Sequence, residues 1–81
     1  AQWSDLGMFL QTFMLLAVEA GLDTCPQEAW ANHWSDVQEF CGAPAQEMLF
    51  CGMAIGKRDE SKSVNSLRSD RMVVDEWTTW L

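Results

Sequence analysis

Two groups of residues in this chain have types and spacings suited to binding chemistry. The first is Pro26-Gln27-Glu28-Ala29, where Pro26 suits the first turn of a helix and Glu28 suits the helix dipole. Free backbone amides from Gln27 to Ala29 would then face a ligand acceptor and stabilise negative charge on it. The second group is Arg68 and Arg71, whose guanidinium forks can hold a phosphate through paired hydrogen bonds.

Each group also has a plainer interpretation. Glu28 is equally well explained as a first-turn acid that only complements the helix dipole. Arg68 and Arg71 could be a solvated loop pair with Asp70 between them. All five Lys and Arg residues lie between Lys57 and Arg71, in a chain with a net charge of −7. This late cluster leaves both a local anion site and a solvated loop open.

The overall charge and the cysteines exclude several classes of function. A net charge of −7 argues against a nucleic-acid backbone or an anionic membrane surface as a partner. The three cysteines show no disulfide framework, which predicts a reducing compartment, the cytoplasm. Zinc would need ligands drawn from Cys25, His33, Cys41 and Cys51, but no close Cys pair exists, so we predict no metal site. No acid or nucleophile is placed to make His33 a base, and we predict no catalytic side chain.

The binding residues follow a helix expected from Trp3 to Leu22, with Ser4 or Asp5 as its N-cap and Gly21 closing it. This helix is apolar around nearly its whole circumference, and its interrupted apolar run is too short to span a membrane. A chain of 81 residues buries only about 60% of its unfolded surface. We therefore expect a second copy, packed through the helix Leu6–Ala20, or a complementing chain; a compact helical monomer is the alternative.

The remaining elements predict an α+β fold that is incomplete in this chain. Two shorter helices are expected, from Pro26 to about Trp34 and, capped by Ser35, from Asp36 to Cys41. The apolar run Met48–Gly56 predicts one strand buried on both faces, in which Gly52 and Gly56 indicate close backbone approach. A polar loop, 57–66, and β-prone tail segments, 72–74 and 77–81, follow. The strand has no predicted partner in its own chain, so a partner chain is expected to complete the fold.

Three blocks of this sequence resemble the C-terminal portion of the FMN-dependent nitroreductase family. They are SDLGMFLQTFMLLAVEAGLDTCPQEAW, EMLFCGMAIGK and VNSLRSDRMVVDEW, and they cover almost the whole chain in the family's order and spacing. The resemblance implies that residues 1–81 are the C-terminal part of one nitroreductase-like domain. It also implies a homodimer with FMN bound between subunits, reduced by NAD(P)H and reoxidised by nitroaromatics or quinones.

The resemblance also implies which residues contact the cofactor. Pro26, Gln27, Glu28 and Ala29 match the segment that lines the flavin ring, with the Ala29 amide near N5, and Arg68 and Arg71 match the phosphate-binding region. Ala29 stands where many members have glycine, and Lys57-Arg58 stands where an aromatic residue is common. The family's N-terminal part of the site has no match here, so activity is expected to require it. The alternative is a small self-associating or partner-binding module that has lost the flavin chemistry.

Overall fold

Residues 1–81 form three α-helices, two 3-10 helices and two strands in the computed structural model. The α-helices are α1 (Gln2–Glu19), α2 (Trp34–Cys41) and α3 (Val74–Trp77), and the strands are β1 (Asp23–Gln27) and β2 (Gly52–Gly56). The first 3-10 helix, Glu28–His33, runs directly into α2, and the second, Ser63–Ser66, lies in the loop after β2. No helix combines the length and apolar character needed to cross a membrane.

Helix α1 begins at Gln2, one residue earlier than expected, and its last turn is closed by Gly21, as expected. Its N-cap is Ala1, without a side-chain hydrogen bond, so the predicted cap at Ser4 or Asp5 is wrong; both residues lie inside the helix. At the other end Gly21 has a φ of 75°, its amide donates to the Val18 carbonyl, and the Leu22 amide donates to the Ala17 carbonyl. These two bonds form the left-handed glycine closure that the sequence predicted.

One face of α1 packs against β1. Ala17 is buried, and Leu6, Leu10 and Met14 on the same face are half-buried. The large apolar residues of the other faces are exposed: Met8, Phe9, Leu15, Leu16 and Val18. Trp3 and Phe13 lie within or beside the packed face and are also exposed, with the Trp3 ring 5.8 Å from that of Phe50. The rest of the chain therefore covers only one side of α1, and the other apolar sides, which were predicted to need cover, are exposed.

The predicted single buried strand is wrong, because β2 has a partner in its own chain. β1 pairs with β2 in antiparallel register, from Asp23 opposite Gly56 to Gln27 opposite Gly52. Neither strand is buried, and residues 48–51 have no regular secondary structure. The ladder ends at Gly52 because β1 gives way to a helix after Gln27, which leaves nothing for the earlier apolar residues to pair with.

Two shorter helices follow β1, as expected, but with shifted bounds and with the first of them a 3-10 helix that leads directly into the second. Pro26 belongs to β1, and the helical run begins at Glu28 as a 3-10 helix before becoming α2 at Trp34, without a Ser35 cap. Helix α2 ends at Gly42, whose φ is 64°. The Gln38 side-chain amide then donates to the Pro44 carbonyl at 2.7 Å and holds the following turn against α2.

The segments after β2 contain local hydrogen bonds and short helical turns. In the polar loop, Asp59 accepts hydrogen bonds from the Ser61 amide at 2.9 Å and from its hydroxyl at 2.6 Å. In the tail, Val73 and Thr78 have the extended backbone that the β-prone segments predicted, although no strand forms. Between them Val74–Trp77 forms the single turn of α3, where Asp75 and Glu76 occupy the N-terminal turn that favours acids.

This chain has almost no interior of its own. Ala17 is the one buried residue of 81. The solvent-accessible surface is 7422 Å², whereas a compact monomer of 9.2 kDa would expose about 4,900 Å². The radius of gyration is 16.5 Å, against about 12 Å for a compact domain of this length. These residues therefore leave most of their apolar faces exposed.

Candidate functional site

An open groove of about 810 Å³ runs along the helical segment that follows β1. We call it the acidic groove, because two carboxylates and no Lys or Arg line it. Its volume is in the range of small-molecule sites. The eight lining residues are Gln27, Glu28, Ala29, Trp30, His33, Asp36, Val37 and Phe40.

The apolar floor of the groove results from helical spacing. Trp30, His33, Val37 and Phe40 recur at intervals of three and four residues, so they lie on one face of the 3-10 and α2 run. The rings of Trp30 and His33 meet edge to face, with their centroids 6.3 Å apart. This surface can accept a planar apolar ring.

Trp30 is held in place by both strands of the sheet. Its indole Nε1 donates a hydrogen bond to the Gln27 side-chain oxygen at 3.1 Å. Its ring lies directly over Gly52, where an added Cβ would approach Trp30 Cδ1 to 2.6 Å. A side chain at 52 would therefore displace the indole ring, which confirms the predicted close approach there. The same prediction for Gly56 is wrong, because nothing lies within 4 Å of a Cβ at that position.

The structure brings together three of the six residues predicted to bind a cofactor. Gln27, Glu28 and Ala29 line the groove, while Pro26 does not. Pro26 lies opposite Met53 in the sheet, so its predicted place in the first turn of a helix is wrong. Glu28 and Ala29 are the first residues of the 3-10 helix, so their amides have no acceptor within that helix.

The two predicted phosphate-binding arginines lie elsewhere. Neither Arg68 nor Arg71 lines the groove, and both are exposed. Arg71 Nη1 donates to the Ser69 hydroxyl at 2.5 Å and to the Asp70 carbonyl at 3.0 Å, so the guanidinium is engaged by its own loop. Within the 81 residues, Arg68 and Arg71 thus lie outside the groove that Gln27, Glu28 and Ala29 line.

Sequence reasoning missed the ion pair between Asp23 and Arg58. Arg58 donates its backbone amide to Asp23 Oδ2 at 3.2 Å and its Nη2 group to Oδ1. The side-chain hydrogen bond from Arg58, helped by the backbone one, lowers the pKa of Asp23 below its ordinary value. An arginine just beyond a strand whose partner begins with aspartate was the available signal. The sequence predicts no strand to pair with β2, so it gives Arg58 no acidic partner.

No group of three or more His, Cys, Asp or Glu side chains is close enough together to hold a metal ion. Cys25, Cys41 and Cys51 are free thiols.

Comparison with known proteins identifies the class to which this fold and groove belong. The model of the nitroreductase family matches residues 1–57. The chain is 40% identical to a 4-nitrobenzoate reductase of Pseudomonas putida over 79 residues, covering 98% of this chain and 35% of that protein. It is 37% identical to a chloronitrobenzene nitroreductase of Comamonas testosteroni and 35% identical to a nitrobenzene nitroreductase of Ectopseudomonas oleovorans, and in each case covers 99% of this chain and 37% of the relative.

Solved structures agree with the sequence matches. The FMN and NADPH-dependent nitroreductase NfnB from Sphigopyxis sp. strain HMH superposes with a TM-score of 0.91 at 45% identity, over 99% of this chain and 36% of that one. The chain therefore belongs to the nitroreductase family, and the resemblance seen in its sequence is confirmed at that level. It spans only 35–37% of the length of these relatives.

Proposed function

We propose that residues 1–81 are the C-terminal part of a nitroreductase-like domain and provide part of an FMN site. Gln27, Glu28 and Ala29, together with the adjacent Pro26, would contact the flavin ring. The observation that carries this proposal is the groove: the segment expected to face the ring lines an open, aromatic-walled space. The two amides at the start of the 3-10 helix are suited to an acceptor atom on the ring edge.

The residues present fit the ring side of FMN better than its phosphate side. The groove offers an apolar surface for a planar ring, but Arg68 and Arg71 do not line it. We propose that they reach the phosphate only when the rest of the site is assembled. Residues outside this sequence or in a second copy would supply the remaining walls, so the 81 residues by themselves are expected to be inactive.

The activity proposed for the assembled site is NAD(P)H-dependent reduction of nitroaromatics or quinones in the cytoplasm. It is supported by relatives named for nitrobenzoate, chloronitrobenzene and nitrobenzene reduction, and by NfnB, which depends on FMN and NADPH. FMN, when bound, would supply the redox chemistry, while the protein provides position and electrostatics. No catalytic side chain, metal, nucleic acid or membrane partner is included in the proposal.

The exposed faces of α1 support a homodimer through the helix segment Leu6–Ala20, or packing against a complementing chain. Stable interfaces bury about 800 Å² on each partner. The chain exposes about 2,500 Å² more surface than a compact monomer of its mass, so it has enough surface for either interface.

A second candidate function is a small self-associating or partner-binding module without flavin chemistry. It is favoured by one specific observation, the separation of the arginines from the groove. Such a module would retain the exposed apolar helix and lose the cofactor.

Titration of FMN, followed by flavin fluorescence, separates the two functions. The chain is measured alone and after mixing with the N-terminal segment of NfnB. Under the first proposal the mixture binds FMN, remains yellow after free flavin is removed by gel filtration, and oxidises NADPH with a nitroaromatic acceptor. Assembly of the mixture without any FMN binding would instead favour the module.

A further inference from the structure

We infer that the acidic groove admits uncharged nitroaromatic compounds and discriminates against carboxylated ones. The inference rests on the proposed function, and it adds a charge preference to the groove proposed as part of that site. Three features carry it: the two carboxylates of the lining, the aromatic platform, and the position of every Lys and Arg outside the lining.

The ionisable acids of the groove have no positive partner within it. Glu28 and Asp36 are its two carboxylates, both exposed, and neither forms an ion pair. Arg58 is engaged by Asp23, and Arg71 by its own loop. An aromatic carboxylate entering the groove would meet like charges without a compensating cation, whereas an uncharged nitroaromatic would not.

Trp30 gives the groove a surface that suits a flat ring. Trp30 is 47% exposed, yet its position is fixed by the hydrogen bond to Gln27 and by contact with the Gly52 backbone. A fixed indole is a preorganised stacking surface, because little conformational entropy is lost on binding. Nitro groups withdraw electrons from an aromatic ring, so its face is attracted to the electron-rich face of the indole.

The relatives include enzymes named for both charge classes of nitroaromatic, so similarity alone does not assign a preference to this chain. The groove does, since both of its charges repel a carboxylate. Interactions between exposed charges are modest, and two of them correspond to about a three- to tenfold difference in affinity.

The test measures binding directly, without turnover. The indole N–H signal of Trp30 in an ¹⁵N-labelled chain, assigned with Trp30→Phe, reports ligand in the groove, and that of Trp77 reports binding elsewhere. Nitrobenzene, 4-nitrobenzoate and 4-nitrobenzylammonium are titrated at pH 8 in low salt. We expect nitrobenzene and the ammonium compound to bind about three- to tenfold more tightly than 4-nitrobenzoate.

A matched pair of variants separates the local effect from net charge. Glu28→Gln with Asp36→Asn should bring 4-nitrobenzoate within about twofold of nitrobenzene. Asp75→Asn with Glu76→Gln removes the same charge from α3, outside the groove, and should leave the difference intact. Raised salt should narrow the difference in the unaltered chain and leave nitrobenzene affinity unchanged.

Equal affinities of the three compounds, the absence of any Trp30 shift, or equal effects of the two double variants would overturn the inference. A parallel FMN titration of the assembled protein keeps the two proposals distinct. FMN binding without charge discrimination rejects the inference alone, whereas discrimination at Trp30 without FMN binding rejects the flavin function alone.

Discussion

Asp23 and Arg58 join the first residue of β1 to the chain leaving β2, through two hydrogen bonds to one carboxylate. This contact closes the end of the ribbon remote from the groove, since Asp23 lies opposite Gly56.

The first prediction concerns the acid dependence of this contact. The pKa of Asp23 lies below its ordinary value of 3.8 because of the hydrogen bonds from Arg58. Because the pKa is lowered in the folded state, the contact stabilises the fold at pH values above the ordinary pKa of an aspartate. This stabilisation is lost as the pH falls through the folded-state pKa of Asp23. Arg58→Met should raise the Asp23 pKa toward 3.8, as followed by the carboxyl ¹³C shift.

Arg68→Met is the matched control, because it removes the same charge from the exposed loop. It should leave the Asp23 titration unchanged. If both variants shift the titration equally, the effect comes from net charge and not from the contact.

The second prediction concerns the support of Trp30 by Gly52. Gly52→Ala places a Cβ where the indole ring now lies, so the ring must move and lose its bond to Gln27. Overpacking of this kind costs about 1–3 kcal/mol in a core, and the half-exposed ring favours the lower end. The measurements are the Trp30 indole shift and urea unfolding. Gly56→Ala, which meets open space, should change neither; an unmoved indole in Gly52→Ala would contradict the packing.

The sequence predicted the parts of this fold that depend on neighbouring residues, such as α1. It did not predict the parts that depend on pairing between distant strands. Helix α1 and its closure at Gly21 could be read from apolar residues and one glycine. β1 was missed because Pro26 also suits a helix start, and only its placement opposite Met53 shows which role it takes. Of the groove residues, the sequence singled out Gln27–Ala29 alone as binding residues, because the other wall depends on how the 3-10 helix leads into α2.

The third prediction concerns self-association. The exposed apolar faces of α1 predict a dimer or larger species at micromolar concentration in sedimentation velocity. Phe13→Asp should weaken it by about 2–4 kcal/mol, or roughly 30- to 1,000-fold in Kd, because a charge would be buried in the interface. Thr12→Asp adds the same charge on the polar side of α1 and should weaken association far less. The prediction would be contradicted if the unaltered chain sedimented as a monomer and unfolded cooperatively.

The fourth prediction concerns the arginines. In the assembled protein, Arg68→Ala with Arg71→Ala should weaken FMN binding by about ten- to a hundredfold through lost charge-assisted bonds to phosphate. The same variant should flatten the salt dependence of FMN binding. Lys57→Ala with Lys62→Ala removes equal charge from the same loop region and serves as the control. Unchanged FMN affinity in the arginine variant would remove both residues from the site.

The fifth prediction concerns Ala29. If the flavin ring approaches the start of the 3-10 helix to hydrogen-bond distance, about 3 Å, a branched side chain there blocks it. Ala29→Ile should therefore abolish measurable FMN binding in the assembled protein, whereas Glu28→Gln should affect it little, because the backbone makes the contact. Circular dichroism and sedimentation check that both variants assemble. Full FMN affinity in Ala29→Ile would show that the ring lies elsewhere.

The pairing of β1 with β2 has a consequence for the order of folding. Residues 28–51, including the whole helical run, lie between the two strands, so the ribbon closes a long loop. Loop closure costs entropy before any pairing contact repays it, which makes such a sheet slow to form from a disordered chain. Early formation of the helical segment shortens the flexible chain between the strands. The Trp30 ring can then pack against Gly52 and bring β2 to β1. The tryptophan that forms the groove wall would thus also act as a nucleating contact, and its fluorescence should report the step at which the ribbon closes.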